Sequence, residues 1–148
     1  MSYQERRTIV SLISTILITA FYFAYVFQKY PDASAYTADV FHFWGSTILI
    51  LIPVSIVAKI IIYIVFSIIN TVATNEQEPS FSDERDKLIE LKSTRNSLYV
   101  FMVGFLLSMI PLVMSMPPAV MFIILIVAGI LSEMAGDISQ LYFYRRGF

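Results

Sequence analysis

FWGSTILILIPVSIVAKIIIYIVFSII, from Phe43 to Ile69, decides the fold. Lys59 is its one charged side chain. About 20 apolar residues suffice for a helix to cross a hydrocarbon core of about 30 Å. Ile48 to Ile52 and Ile60 to Phe66 do not alternate with polar residues, so the run does not read as a barrel strand. It reads as a membrane helix. Three similar runs lie on either side of it, at about Thr8–Phe27, Leu98–Met116 and Pro118–Leu141. Composition agrees over the whole 148 residues, which are 57% hydrophobic and 14% charged. Ordinary soluble domains are about 45–50% apolar and about 25% charged. The expectation is an all-α, polytopic membrane protein with four transmembrane helices. It forms one membrane domain, with a cytoplasmic loop and juxtamembrane helix over about 70–97. No room is left for a second soluble domain. A net charge of −1 gives no basic surface for nucleic acid. There is no cysteine, which excludes disulfides, thiolate metal sites and cysteine nucleophiles.

The first span has a rival reading. Arg6 and Arg7 precede it, and Ala33-Ser34-Ala35 has the form of a signal-cleavage site. Its apolar run of about 20 residues exceeds the core of about 7–15 typical of a signal peptide, so a retained helix is expected. Lysine and arginine set the orientation. Arg6, Arg7, Arg85, Lys87, Lys92, Arg95, Arg145 and Arg146 fall on one side of a four-span chain, and Lys29 on the other. Both termini and the middle loop are therefore expected in the cytoplasm, with a prokaryotic plasma membrane as the location. Aromatic residues gather at the outer side, among them Tyr22, Tyr25, Phe43 and Trp44. Such rings ordinarily form an interfacial belt. Their sharper reading is the lining of a lipophilic-ligand site, opened by the helix prolines Pro53 and Pro111.

Three ionisable residues lie where lipid is expected. Lys59 is 15 positions past Trp44, and Glu133 is 15 past Pro118. Spans two and four run in the same direction, so the two share a depth. Each charge alone costs about 2.5–3.5 kcal/mol at a helix centre. An ion pair offsets that cost, and Lys59–Glu133 is the expected pair. Asp137 is one turn from Glu133 on the same face. The bland reading is a charge pair that fixes helix register. The functional one is an ion, proton or ligand site. Ser11, Thr15, Thr19 and Tyr22 add a polar stripe on span one, which either bonds a neighbouring helix or forms a hydrophilic path toward Lys59. Ala128, Ser132 and Gly136, with Gly104 and Ser108, form small-residue stripes on the last two spans. Packing within the monomer through the Pro117-Pro118 hairpin is the expected use, and homodimerisation the alternative.

The polar stretch after Asn70 begins as loop. Ser80 or Ser82 is a candidate helix cap, with Asp83 and Glu84 in the first turn. Nothing then breaks the helix before Pro111, so one long third helix is expected to project below the membrane, with Phe81 near its start and Arg95 snorkelling to headgroups. Asp83, Asp86 and Glu90 share one face, and Arg85 and Lys92 another. A solvated helix is the plain reading. A docking surface for a cytoplasmic protein, built from Asp83, Glu84, Arg85, Asp86, Glu90 and Arg95, is the functional one. A divalent-metal site from the acids lacks clustered loop geometry.

The run DERDKLIELKSTR, Asp83 to Arg95, is followed by an apolar helix pair and then by YFYRRG, Tyr142 to Gly147. It resembles a family of small prokaryotic membrane proteins of unknown function, which have about four helices and a D-E-R-D cytoplasmic motif. The resemblance covers roughly Ser82 to Phe148. It implies a membrane partner for a DNA-binding regulator, and assigns no catalytic residue. The like placement of Lys59 and Glu133 also fits a tandem repeat of a two-helix unit.

The catalytic inventory is thin. His42 is the one histidine, at the outer interface; Asp39 and Ser46 are near it by chance frequency. There is no H-E-x-x-H, no phosphate-binding glycine loop and no G-x-S-x-G. An enzyme is not expected, and neither is a cofactor. The preferred expectation is a regulatory or sensory membrane protein that docks a soluble regulator. The rivals are a small proton-coupled transporter or transporter subunit using Lys59, Glu133 and Asp137, and a structural accessory subunit.

Overall fold

The structure is a computed structural model that describes residues 3–29, 36–74 and 83–146. Ala33-Ser34-Ala35, Ser80, Phe81, Ser82 and Gly147 lie outside the described residues. Four helices follow in order: α1 (Tyr3–Phe27), α2 (Ala38–Thr74), α3 (Glu84–Val113) and α4 (Pro118–Arg146). Each is long and apolar enough to cross a membrane. The protein is a multi-pass, all-α membrane protein.

Helix ends depart from the apolar runs for local reasons. α2 has 37 residues, a length of about 55 Å at 1.5 Å per residue. It extends past Phe43–Ile69 at both ends because no strong breaker stands there. α3 is one continuous helix from polar stem to apolar span. Asp83 caps it, its carboxylate accepting from the Glu84 N–H at 2.7 Å. The helix runs through Pro111 and stops at Val113, short of the expected Met116. Its stop is a Schellman motif. Ser115 takes φ +54°. The Met116 N–H donates to the Pro111 carbonyl at 2.9 Å, and the Ser115 N–H to the Leu112 carbonyl at 3.4 Å. Pro118 then opens α4, where its missing N–H costs nothing.

α3 and α4 form the tightest pair. The small-residue stripes face each other inside the monomer. A Cβ on Gly104 would lie 2.3 Å from the Ala128 Cβ, and one on Gly136 would lie 3.3 Å from the Ser97 Cβ. The Ser132 hydroxyl donates to the Ser97 carbonyl at 2.9 Å. α1 packs on α4 and α2, and α2 also touches α4. Among the described residues α1 and α3 do not pack together. Both flank α4 from different sides, and a cleft separates them. The apolar core lies at the opposite end, where Val40, Trp44, Ala119 and Ile126 are buried. Trp44 stacks on Phe122 with ring centroids 6.2 Å apart. Aromatic packing joins α2 to α4 at one end of the bundle, and the other end is polar and open.

Candidate functional site

The cleft between α1 and α3 encloses about 540 Å³. Three polar stripes at one spacing build its walls. α1 contributes Gln4, Thr8 and Ser11; α3 contributes Asp86, Glu90, Ser93 and Ser97; α4 contributes Glu133, Asp137, Gln140 and Tyr144. In each helix these positions recur at i, i+4 and i+7, and on α3 and α4 also at i+11. That period puts every member on one face. Gly136 opens the floor, where a side chain would press on Ser97. Arg7 and Tyr63 close one side, the guanidinium lying 5.1 Å from the ring centroid.

Lys59 of α2 and Glu133 of α4 form an ion pair at the deep end. The Lys59 side chain is 17% exposed and that of Glu133 is 45%, because the carboxylate faces the cleft. Asp137 lies one turn nearer the mouth, within electrostatic reach of both Lys59 and Glu133 and next to Ser11. Its Oδ2 is buried without a hydrogen-bond partner. Ser93, on the opposite wall, is 5% exposed, and its hydroxyl also has no partner. Unsatisfied buried polar atoms are rare, and each needs a reason. At the mouth Tyr144 interacts with Asp86 and Gln140. Lys92 lies over the Phe143 ring, and Asn96 donates to Ser139 at 3.2 Å. The stem of α3 is therefore fastened along α4.

The residues singled out in the sequence divide accordingly. Lys59, Glu133 and Asp137 come together. Thr15 is buried and its hydroxyl donates to the Ser11 carbonyl of its own helix at 3.1 Å, so it does not reach the ion pair through that bond. Thr19 is half-buried one turn further on. Asp86 and Glu90, grouped with the docking residues, line the cleft. Asp83, Glu84, Arg85 and Arg95 are exposed. Tyr22, Tyr25 and Phe43 border a second cavity of about 520 Å³ between α1 and α2 at the other end of the bundle. There the Tyr22 hydroxyl donates to the Thr47 carbonyl at 2.7 Å. Trp44 does not belong to that lining, because it is fully buried against Phe122.

Among the described residues no group of three or more His, Asp or Glu side chains is arranged to hold a metal ion. Sequence reading missed Gln4, Arg7, Thr8, Tyr63, Ser93, Thr94, Ser97, Gln140 and Tyr144. The shared i, i+4, i+7 spacing of polar residues on three helices is the signal that marks most of them. The chain matches no protein-family model, no curated protein and no solved structure. The resemblance of the Asp83–Arg95 motif rests on its own residues.

Proposed function

We propose that this protein is a small proton-coupled transporter of a cationic solute in a prokaryotic plasma membrane, with both termini in the cytoplasm. The observation that carries the reading is the polar cleft ending on Glu133 and Asp137. Intramembrane carboxylates are expensive, and pumps and transporters use them as proton relays. A carboxylate that releases a proton when a cation arrives links the two flows. Ser11 borders the inner cleft and Tyr22 the outer cavity, on the same polar stripe of α1. Eleven residues separate them, about 16 Å of helix. That is about half the hydrocarbon thickness, so the closed layer between the two cavities is thin. Lys59 pairs with Glu133 and so competes with a cation for it.

The test is proton movement in vesicles that contain the purified protein, an internal pH dye and an imposed pH gradient. Added organic cations are expected to dissipate the gradient. Glu133→Gln and Asp137→Asn are each expected to reduce that rate at least tenfold. A rate in either variant equal to that of the unaltered protein, or an equal rate in vesicles without protein, would sink the reading.

A second reading is favoured by Leu88 and Leu91, which are 51% and 67% exposed on the stem of α3. Together with Arg85, Lys87 and Arg95, none of which lines the cleft, they suit a soluble regulatory partner. Reversing Arg85 and Lys87 to Glu should abolish co-purification of that partner. Unchanged co-purification would reject this surface.

A further inference from the structure

We propose that the cleft binds a linear aliphatic polyamine, laid lengthwise along the α3–α4 wall. The inference rests on the transporter reading and names its solute. It begins with the register of two antiparallel helices. Tyr144 meets Asp86 at the mouth. Gly136 faces Ser93 and Ser97 at the floor. Asp86 and Glu90 are one turn apart on α3, and Asp137 and Glu133 are one turn apart on α4. In this register Asp137 lies at about the level of Ser93, one turn deeper than Glu90. The four carboxylates therefore form a ladder from mouth to floor, with about one helical turn, 5.4 Å, between rungs.

That spacing selects among cations. A compact inorganic ion needs several ligands around one point, and no such group occurs among the described residues. A single ammonium would satisfy one rung. Ammonium groups joined by three- or four-carbon chains repeat at about one helical turn, and each meets its own carboxylate. Charge count agrees. The lining has four carboxylates and one guanidinium, that of Arg7. Lys59 neutralises Glu133. Four negative charges less two positive leaves an excess of two.

Two independent features point to a hydrogen-bonding occupant. The Ser93 hydroxyl is buried, borders the cleft and has no partner. Asp137, at about the same level on the facing helix, meets Ser11 through its carboxylate and keeps its Oδ2 without a partner. An ammonium group between them donates to both. Tyr63 and Tyr144 border the same space, and aromatic faces attract cations.

The experiment is isothermal titration of the full chain in lipid nanodiscs, with no gradient. The probes are propylamine, putrescine, spermidine and magnesium chloride. Affinity is expected to rise at least tenfold from monoamine to diamine and again to triamine. Magnesium is expected not to displace spermidine at equal concentration. Asp137→Asn should weaken spermidine at least tenfold, and so should Glu90→Gln, a variant at the exposed mouth that does not burden folding. Ser93→Val should weaken it several-fold. Equal weak binding of all three amines would overturn the proposal, as would spermidine affinity unchanged by Glu90→Gln. The two readings fail separately. Spermidine that binds but moves no protons keeps this site and removes the transporter. Proton exchange driven by another cation, without spermidine binding, keeps the transporter and removes the polyamine.

Discussion

Among the described glycines, Gly104 has the least room for a side chain. A methyl group there would meet the Ala128 Cβ at 2.3 Å, and the Ala128 backbone is 3.2 Å away. Neither atom is the flexible end of a side chain, so the helices must part. Gly104→Ala is expected to destabilise the protein by about 1–3 kcal/mol, the usual cost of overpacking. Thermal unfolding in detergent measures it. Gly45→Ala is the control, since nothing lies within 4 Å of a Cβ there. Lys59 and Glu133 test a different physics. Removing one partner strands a charge, while removing both leaves apolar surface in an apolar place. The Lys59→Leu/Glu133→Leu double variant should be destabilised by less than the sum of the two single variants. The expected coupling is about 1 kcal/mol, low in the range for contacting residues, because Glu133 keeps part of its solvation in the cleft. A double variant destabilised by the full sum of the single ones, or by more, would contradict it. This pair was legible in the sequence because depth in a membrane helix is counted along the chain, from Trp44 in one case and Pro118 in the other. Lateral neighbours cannot be counted that way, so Ser93 and Gln140 are marked only by their spacing from other polar residues.

At the scale of elements, the α3–α4 hairpin organises everything else. Its turn uses Ser115 in the left-handed region, at φ +54°. A side chain there costs about 1–2 kcal/mol relative to glycine. Ser115→Gly is therefore expected to stabilise the protein by about 1 kcal/mol, less the entropy that glycine adds to the unfolded chain. A lowered melting temperature would show that the serine hydroxyl matters more than its backbone. The length of α3 was readable from Asp83 to the span, because no breaker intervenes before Pro111. Its end was not readable to the residue, since Pro111 lies inside the helix and the stop depends on hydrogen bonds beyond it. The cleft was not legible from any single helix. It exists because α1 and α3 both pack against α4 and not against each other, and the pattern on any one helix does not disclose which neighbour occupies its polar face. Only taken together do three stripes of the same period imply a shared polar space. On α3 that face looks, by itself, like a solvated stem.

The whole molecule is asymmetric along its axis, and that makes its orientation measurable. Trp44, Phe122 and their neighbours pack one end, and carboxylates line the other. Eight lysines and arginines lie at the cleft end of the chain, with Lys29 alone among cations at the aromatic end. Positive loops stay in the cytoplasm, so the cleft should open inward. The natural chain has no cysteine, so single cysteines can be placed without removing any. Gln28 and Lys87 are both exposed, at opposite ends. In intact cells a membrane-impermeant maleimide should label Gln28→Cys and leave Lys87→Cys unlabelled until the membrane is opened. The opposite pattern would place the cleft outside. Labelling of both in intact cells would mean that the chain inserts in two orientations. On the proposed transport function, either result would change the direction in which a proton gradient acts on Glu133 and Asp137. The expected one lets a cytoplasmic cation enter from the mouth at Asp86 and Glu90, and meet the intramembrane carboxylates last.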